Sequence, residues 1–268
     1  MPLIGAHVDQ ANAIAVAQQL GVELIQVHVG DPQSWKKPQV RYPGGAEALG
    51  ADAQAAGIDI YVHAPYVINV ASTNNRIRIP SRKLLQQTVD EAAAMGAQGV
   101  IVHGGHVTGR DEPAQGYVNW RKAVDGLKLH VPILIENTAG GDRAMTRYPE
   151  AIEEVWLALR GSDNLEHVGV CLDTCHAFAA GLDMTTVVED IRDITGRIDL
   201  VHLNDSRGEA GSGVDRHANL GEGLVDAEHL VGVVKAAGAP ALLETPGAPE
   251  AHPADLAWIR ERLDQDRL

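Results

Sequence analysis

The chain has 268 residues, 45% of them apolar and 22% charged, with no low-complexity tract, which is the composition of a globular unit rather than a disordered or fibrous one. Its formal charge of −14 excludes a uniformly basic nucleic-acid-binding surface, so any polyanion must be met by a local patch. No run of 18 apolar residues and no signal-peptide pattern occurs, so no membrane span is expected and the expected location is the cytoplasm.

In chain order, short apolar runs alternate with helix-like stretches. LIGAHV (3–8) leads to ANAIAVAQQLG (11–21), LIQVHV (24–29) to AEALGADAQAAG (46–57), and IDIYVH (58–63) to RKLLQQTVDEAAAMG (82–96). GVIVH (99–103) precedes YVNWRKAVDGLKL (117–129), VPILIE (131–136) precedes PEAIEEVWLALRG (149–161), and VGVCLD (168–173) precedes MTTVVEDIRDI (184–194). IDLVHL (198–203) is followed by AEHLVGVVKAAG (227–238), and PALLE (240–244) by ADLAWIRERLDQ (254–265). Near-continuous hydrophobicity marks strands buried on both faces, and glycines such as Gly21, Gly57, Gly96, Gly161 and Gly238 mark helix ends. Strand then helix, eight times, predicts an α/β fold, a single-domain (β/α)8 TIM barrel over residues 1–268. An open doubly wound sheet is the competitor, but no GxGxxG follows the first strand.

At or beside the strand ends stand His7, His28, His63, His103, Glu136, Asp173, His202 and Glu244. In such a barrel these ends share one mouth, where active sites of the fold are built. Helix capping favours Asp, Ser, Thr and Asn, so it does not account for the histidines. His130, His167, His229 and His252 fall elsewhere and are read as structural or solvated, while Cys171 and Cys175 are read as packed thiols.

Carboxylates and imidazoles converging on one mouth call for cations. With nitrogen and oxygen donors, zinc is favoured, and manganese or iron is possible. His176 follows Asp173 by three residues, and Asp215 and His217 lie two apart, so that an extended segment sends both side chains to one side. A single zinc takes about four ligands, fewer than the candidates assembled here, which implies two or three ions sharing a carboxylate.

HAPYVINVAS, GVCLDTCHAFAAGLD, HLNDS, DRHANLGEG and LLETPG, supported by ENTAGG and VHGGH, resemble the endonuclease IV family of apurinic/apyrimidinic endonucleases. IGAHV extends the likeness to the N-terminus. The resemblance implies a barrel with three zinc ions that cuts double-stranded DNA on the 5′ side of abasic sites, leaving 3′-hydroxyl and 5′-deoxyribose phosphate ends, and that also trims blocked 3′ ends. It implies one zinc held by His63, His103 and Glu136, and a second by Glu136, Asp173, His202 and Glu244. A third falls to His176, Asp215 and His217. Glu136 is then the bridging carboxylate, and a hydroxide between the first two ions is the attacking group.

Exposing an abasic site requires contacts beyond the metals. Tyr66 matches a residue that the family inserts into the opened stack, and Trp35 is expected to anchor the loop after the second strand. Lys36, Lys37, Arg41, Arg76, Arg78, Arg110, Arg143, Arg147, Arg207 and Arg216 are expected on mouth loops. Gln33 stands where familiar members carry an inserting Arg, VHGGH replaces the more usual HPG, and HVDQAN lacks a small-residue run. Those departures bear on how the damaged nucleotide is exposed, not on metal binding. His7, His28 and His106 are candidates for supporting the ligands or facing phosphate. The alternatives are a sugar isomerase of the related xylose isomerase-like barrels, disfavoured because no strand ends in Lys, and a module that binds damaged DNA without cutting. A monomer is expected, because a mouth that grips a duplex must stay open.

Overall fold

A computed structural model describes residues 2–265. In chain order it contains β1 (Ile4–His7), α1 (Ala13–Leu20), β2 (Leu24–His28), α2 (Gly45–Ala56), β3 (Asp59–His63) and α3 (Asn75–Ala94). Next come β4 (Gly99–His103), α4 (Pro113–Gly126), β5 (Ile133–Glu136), α5 (Pro149–Leu159), β6 (Val168–Asp173), α6 (Thr174–Ala180) and α7 (Val187–Thr195). The chain continues through β7 (Leu200–His202), β8 (Asp205–Ser206), β9 (His217–Ala218), α8 (Ala227–Ala237), β10 (Ala241–Leu243) and α9 (His252–Gln265). Eight parallel strands close in the order β1-β10-β7-β6-β5-β4-β3-β2, the predicted TIM barrel. Among the described residues, no helix is long and apolar enough to cross a membrane.

Side chains on a strand alternate in direction, so residues two apart share a face. Leu24, Tyr61, Ile101, Leu134, Cys171, Leu200 and Leu242 form one buried cluster inside the barrel. Two residues further toward the mouth, on the same face, stand Gln26, His63, His103, Glu136, Asp173, His202 and Glu244. The pairing of Gln26 with Tyr61 and of His28 with His63 fixes that register. The outward faces carry Ile25, Val27, Ile60, Val62, Val100, Val102 and Ile133, which pack under the helices in the larger core. On β1 the inward position below His7 is Gly5, where a Cβ would sit 1.9 Å from the Leu24 carbonyl oxygen; only glycine fits.

The structure corrects several element boundaries and adds short elements. α3 starts at Asn75 rather than at residue 82, because Asn74 caps it through Arg76 N–H (2.9 Å) and the helix tolerates Pro80 in its second turn. Arg76 and Arg78 therefore lie on a helix turn, not a loop. β10 ends at Leu243, leaving Glu244 one residue beyond the strand. α7 begins at Val187, not at residue 184. The short helix α6 follows β6 without a break, and β8 pairs antiparallel with β9 over the mouth side of β7. Runs of two to seven residues carry too little periodicity to be read from sequence.

Candidate metal centre

Glu136 is fully buried and offers its two oxygens to different imidazoles. Oε2 lies 3.3 Å from His63 Nε2 and 3.2 Å from His103 Nε2. Oε1 lies 3.1 Å from His202 Nδ1 and 3.3 Å from His176 Nδ1. His202 Nδ1 is also 3.1 Å from Glu244 Oε2. His176 Nε2 is 3.2 Å from Asp215 Oδ2, and His217 Nε2 is 3.3 Å from Asp215 Oδ1.

These atoms fall into sets able to hold metal, each with its ligand atoms within 4.8 Å of one another: His63, His103 and Glu136; Glu136, Asp173, His202 and Glu244; and His176, Asp215 and His217. The structure thus brings together all nine residues singled out from sequence. Asp173, Cys175 and His217 form a further such set. Both cysteines are buried and unbridged, as expected, and burial pushes both thiols up to about 12. His130, His167, His229 and His252 belong to none of these sets.

The local folding explains why the rings point inward. Asp173 Oδ1 accepts the His176 N–H at 2.7 Å and so caps α6, whose first turn carries His176 into the mouth. One carboxylate thus caps the helix and still joins the cluster, its other oxygen accepting from Asn204 Nδ2 at 2.7 Å. Asn137 clamps the Asp173 backbone from both sides, at 2.7 and 3.0 Å, and its carbonyl accepts from His176 Nδ1 at 2.9 Å. Asp205, fully buried, accepts the N–H groups of Ser206, Gly221, Gly223 and Val225, which ties down the segment that follows His217. Asn137, Asn204, Asp205 and Gln26 were not singled out from sequence. Their one signal was position: the first three closely follow strand-end ligands in ENTAGG and HLNDS, and Gln26 is a lone amide inside an apolar strand.

Burial opposes charge throughout, and partners overrule it. Burial would raise Glu136, but the His103 and His202 imidazoles hold it well below the usual carboxylate range. His176 is held well above its ordinary value against burial, chiefly by Asp173, Asp215 and Glu136. His202 rises similarly beside Cys171, Glu244 and Glu136, and His217 is raised to about 9 by Asp215, Asp173 and Glu244. A cluster in which protons stand between carboxylate and imidazole is one that a cation can fill. Three features fit a zinc ion. His63 Nδ1 donates to the Ala64 carbonyl at 2.7 Å and His176 Nδ1 to that of Asn137, leaving both Nε2 atoms to coordinate. His217 Nε2 is buried and, although 3.3 Å from Asp215 Oδ1, is not aligned to hydrogen-bond with it. The donor set is imidazole and carboxylate.

Around the mouth the expectations divide. Tyr66 is 48% exposed, and its hydroxyl donates to His28 Nε2 at 3.1 Å while His28 Nδ1 donates to the His63 carbonyl. Trp35 is 47% exposed and lines, with Tyr66, Val67, Ile68 and His103, an open cavity of about 480 Å³. Gln33, Lys36, Arg207 and Arg216 are exposed. Lys36 and Lys37 line a second cavity of about 410 Å³ with Arg41. The wider set of ten cations is not uniformly free. Arg41 pairs with Asp9 at 3.1 Å, Arg78 donates to the Ser72 carbonyl at 3.0 Å, and Arg143 donates to that of Asp111. Arg147 is buried with its guanidinium over the Tyr148 ring. Those four hold loops together because nearby backbone carbonyls, carboxylates and an aromatic face reach them first. His7 and His28 stand behind the ligands; burial, aided by neighbouring histidines, lowers them to about 4 and about 2, so both are neutral. His106 is exposed at the rim, its backbone held by Asn69.

A closed parallel barrel whose mouth gathers histidine and carboxylate sets able to hold metal defines a xylose isomerase-like TIM barrel, and that family matches residues 12–262. A protein named probable endonuclease 4 from Mycobacterium ulcerans (strain Agy99) is 51% identical over 98% of this chain and 99% of its own length. The crystal structure of endonuclease IV from Thermus thermophilus superposes with a TM-score of 0.83 at 31% identity, covering 98% of this chain and 100% of that one. The chain belongs to the endonuclease IV family. A D-tagatose 3-epimerase-like protein superposes with a TM-score of 0.80 over 99% of this chain and 100% of that one, but at 17% identity that likeness shows the barrel alone.

Proposed function

We propose that the protein is a DNA-repair endonuclease that hydrolyses the phosphodiester 5′ to abasic sites, leaving 3′-hydroxyl and 5′-deoxyribose phosphate ends, and that it trims blocked 3′ ends. The observation that carries this reading is the division of Glu136, one oxygen turned to His63 and His103 and the other to His202 and His176. The relatives named endonuclease 4 supply the reaction class.

His63, His103 and Glu136 would hold one zinc, Glu136, Asp173, His202 and Glu244 a second, and His176, Asp215 and His217 a third. Manganese or iron suits the same donors. Bound zinc supplies Lewis acidity that activates water and neutralises phosphate oxygens. The side chains do the rest. Glu136 joins two sets so that attacking and departing oxygens are served at one place. Carbonyl-fixed His63 and His176 keep their ligating nitrogens aimed without reorganisation. Tyr66 and Trp35 present flat apolar faces beside His103, suited to an unstacked base or the gap left by a missing one. Lys36, Arg207 and Arg216 give the phosphate backbone its local cations, which an overall charge of −14 otherwise denies it. Gln33, exposed in the same rim loop as Trp35, offers the strand an uncharged amide. We propose a monomer acting in the cytoplasm.

The test is incubation of the purified protein with a duplex carrying one synthetic abasic site, with and without a chelator. Incision on the 5′ side that chelation stops is expected. Binding without incision would favour a damage-binding module, and inertness toward DNA with aldose turnover an isomerase.

A further inference from the structure

We infer that Gln26 is a positioning residue that decides which ring nitrogen His202 offers to metal and holds Glu244 beside it; this rests on the metal-centre reading above. Gln26 lies in the middle of β2, fully buried, between Ile25 and Val27. Its Oε1 accepts from His202 Nε2 at 2.8 Å. Its Nε2 donates to Glu244 Oε1 at 2.6 Å and lies 3.2 Å from His7 Nδ1.

The amide has one workable orientation. An ionised carboxylate only accepts, so the nitrogen end must face Glu244, and the oxygen end must face His202. The oxygen can only receive a hydrogen, which places N–H on His202 Nε2. The nitrogen left to give up its proton to a metal is then Nδ1, the atom that faces Glu136 Oε1 and Glu244 Oε2 at 3.1 Å each. His63 and His176 have their tautomers set by backbone carbonyls. His202 has its ring turned the other way round, and a side chain from a strand across the barrel does that work. Gln26 also leaves Glu244 with Oε2 free toward His202, so two of the four ligands in one set depend on a single amide. A buried amide is tolerated in an apolar strand only when both ends are paired, as they are here.

Zinc per chain should be measured after equilibration at buffered free zinc, in wild type, Gln26→Leu and Gln26→Glu. The wild type is expected to hold three. Gln26→Leu should keep the ions of the His63 and His217 sets and bind the His202 ion about 10- to 100-fold more weakly, as loss of a partner behind a ligand typically costs. Gln26→Glu keeps the acceptor and the shape, so nitrogen-15 correlation spectra of the zinc-loaded protein should still show N–H on His202 Nε2. It lacks the donor, so its His202 ion should also be weaker than wild type. This variant carries the test if leucine prevents folding. Unchanged zinc affinity in either variant would overturn the inference while leaving the metal centre intact. A folded wild type that takes up no zinc would overturn the metal centre and this inference together.

Discussion

Glu136 and His202 meet at 3.1 Å, Oε1 to Nδ1, although 66 residues and an intervening strand separate them. The contact exists because inward-facing residues of alternate barrel strands share a layer. Glu136→Gln keeps the shape and removes the charge that lets one side chain serve two ligand sets. Incision should fall by more than about 100-fold, the upper end for partners lying behind metal ligands, while circular dichroism stays near wild type. Normal turnover in this variant would refute the bridging role.

Metal uptake should displace protons. His176, His202 and His217 are raised in the metal-free protein, His217 from 6.5 to about 9. The stabilising contribution of His217 is therefore complete below pH 6.5 and is lost as pH climbs through about 9. Zinc competes for the same nitrogens, so its affinity should rise with pH across that window. Titration calorimetry near neutral pH in two buffers of different ionisation heat should report release of more than one proton per chain. A heat independent of buffer would contradict this.

Arg207 donates its backbone N–H to the Arg216 carbonyl at 2.8 Å, which sets two exposed guanidinium side chains on neighbouring segments beside His217. If they meet phosphates, each alanine substitution should reduce the slope of log affinity against log salt by about 1 and leave zinc content unchanged. Fluorescence anisotropy with an abasic duplex across a salt series measures it, and a slope equal to wild type would remove these residues from the interface.

Tyr66→Ala should weaken binding of the abasic duplex by roughly 5- to 150-fold, corresponding to about 1–3 kcal/mol of lost stacking. Tyr66→Phe, which loses only the hydroxyl's bond to His28, should bind within a few-fold of wild type. Equal losses in the two variants, read from binding isotherms, would assign the effect to that hydrogen bond instead of to the ring.

The barrel could be read from the chain because the strands are buried on both faces and most helices end on or just before a glycine, both local properties. The ligands were legible for a related reason. A histidine or carboxylate that closes an apolar run is conspicuous, and GVCLDTCHAFAAGLD adds a pattern long enough to name a family. Gln26 escaped notice because its partners lie 176 and 218 residues away, so nothing nearby betrays its role. That Trp35 opens onto a cavity beside Tyr66 was equally hidden, because the two residues come together only through folding. Arg78 and Arg143 looked like free cations because the carbonyls that hold them belong to other turns and loops.

Sequence alone determined the alternation of strand and helix, the metal-ligating residue types at the strand ends and the family, since those depend on the order of residues along the chain. Tertiary structure decided which oxygen of Glu136 faces which imidazole, which nitrogen of each histidine is left to coordinate, and which arginines remain in solvent. Those choices turn on distances of about 3 Å between residues on different strands, over which hydrogen bonds switch from strong to absent, and only closure of the barrel sets them.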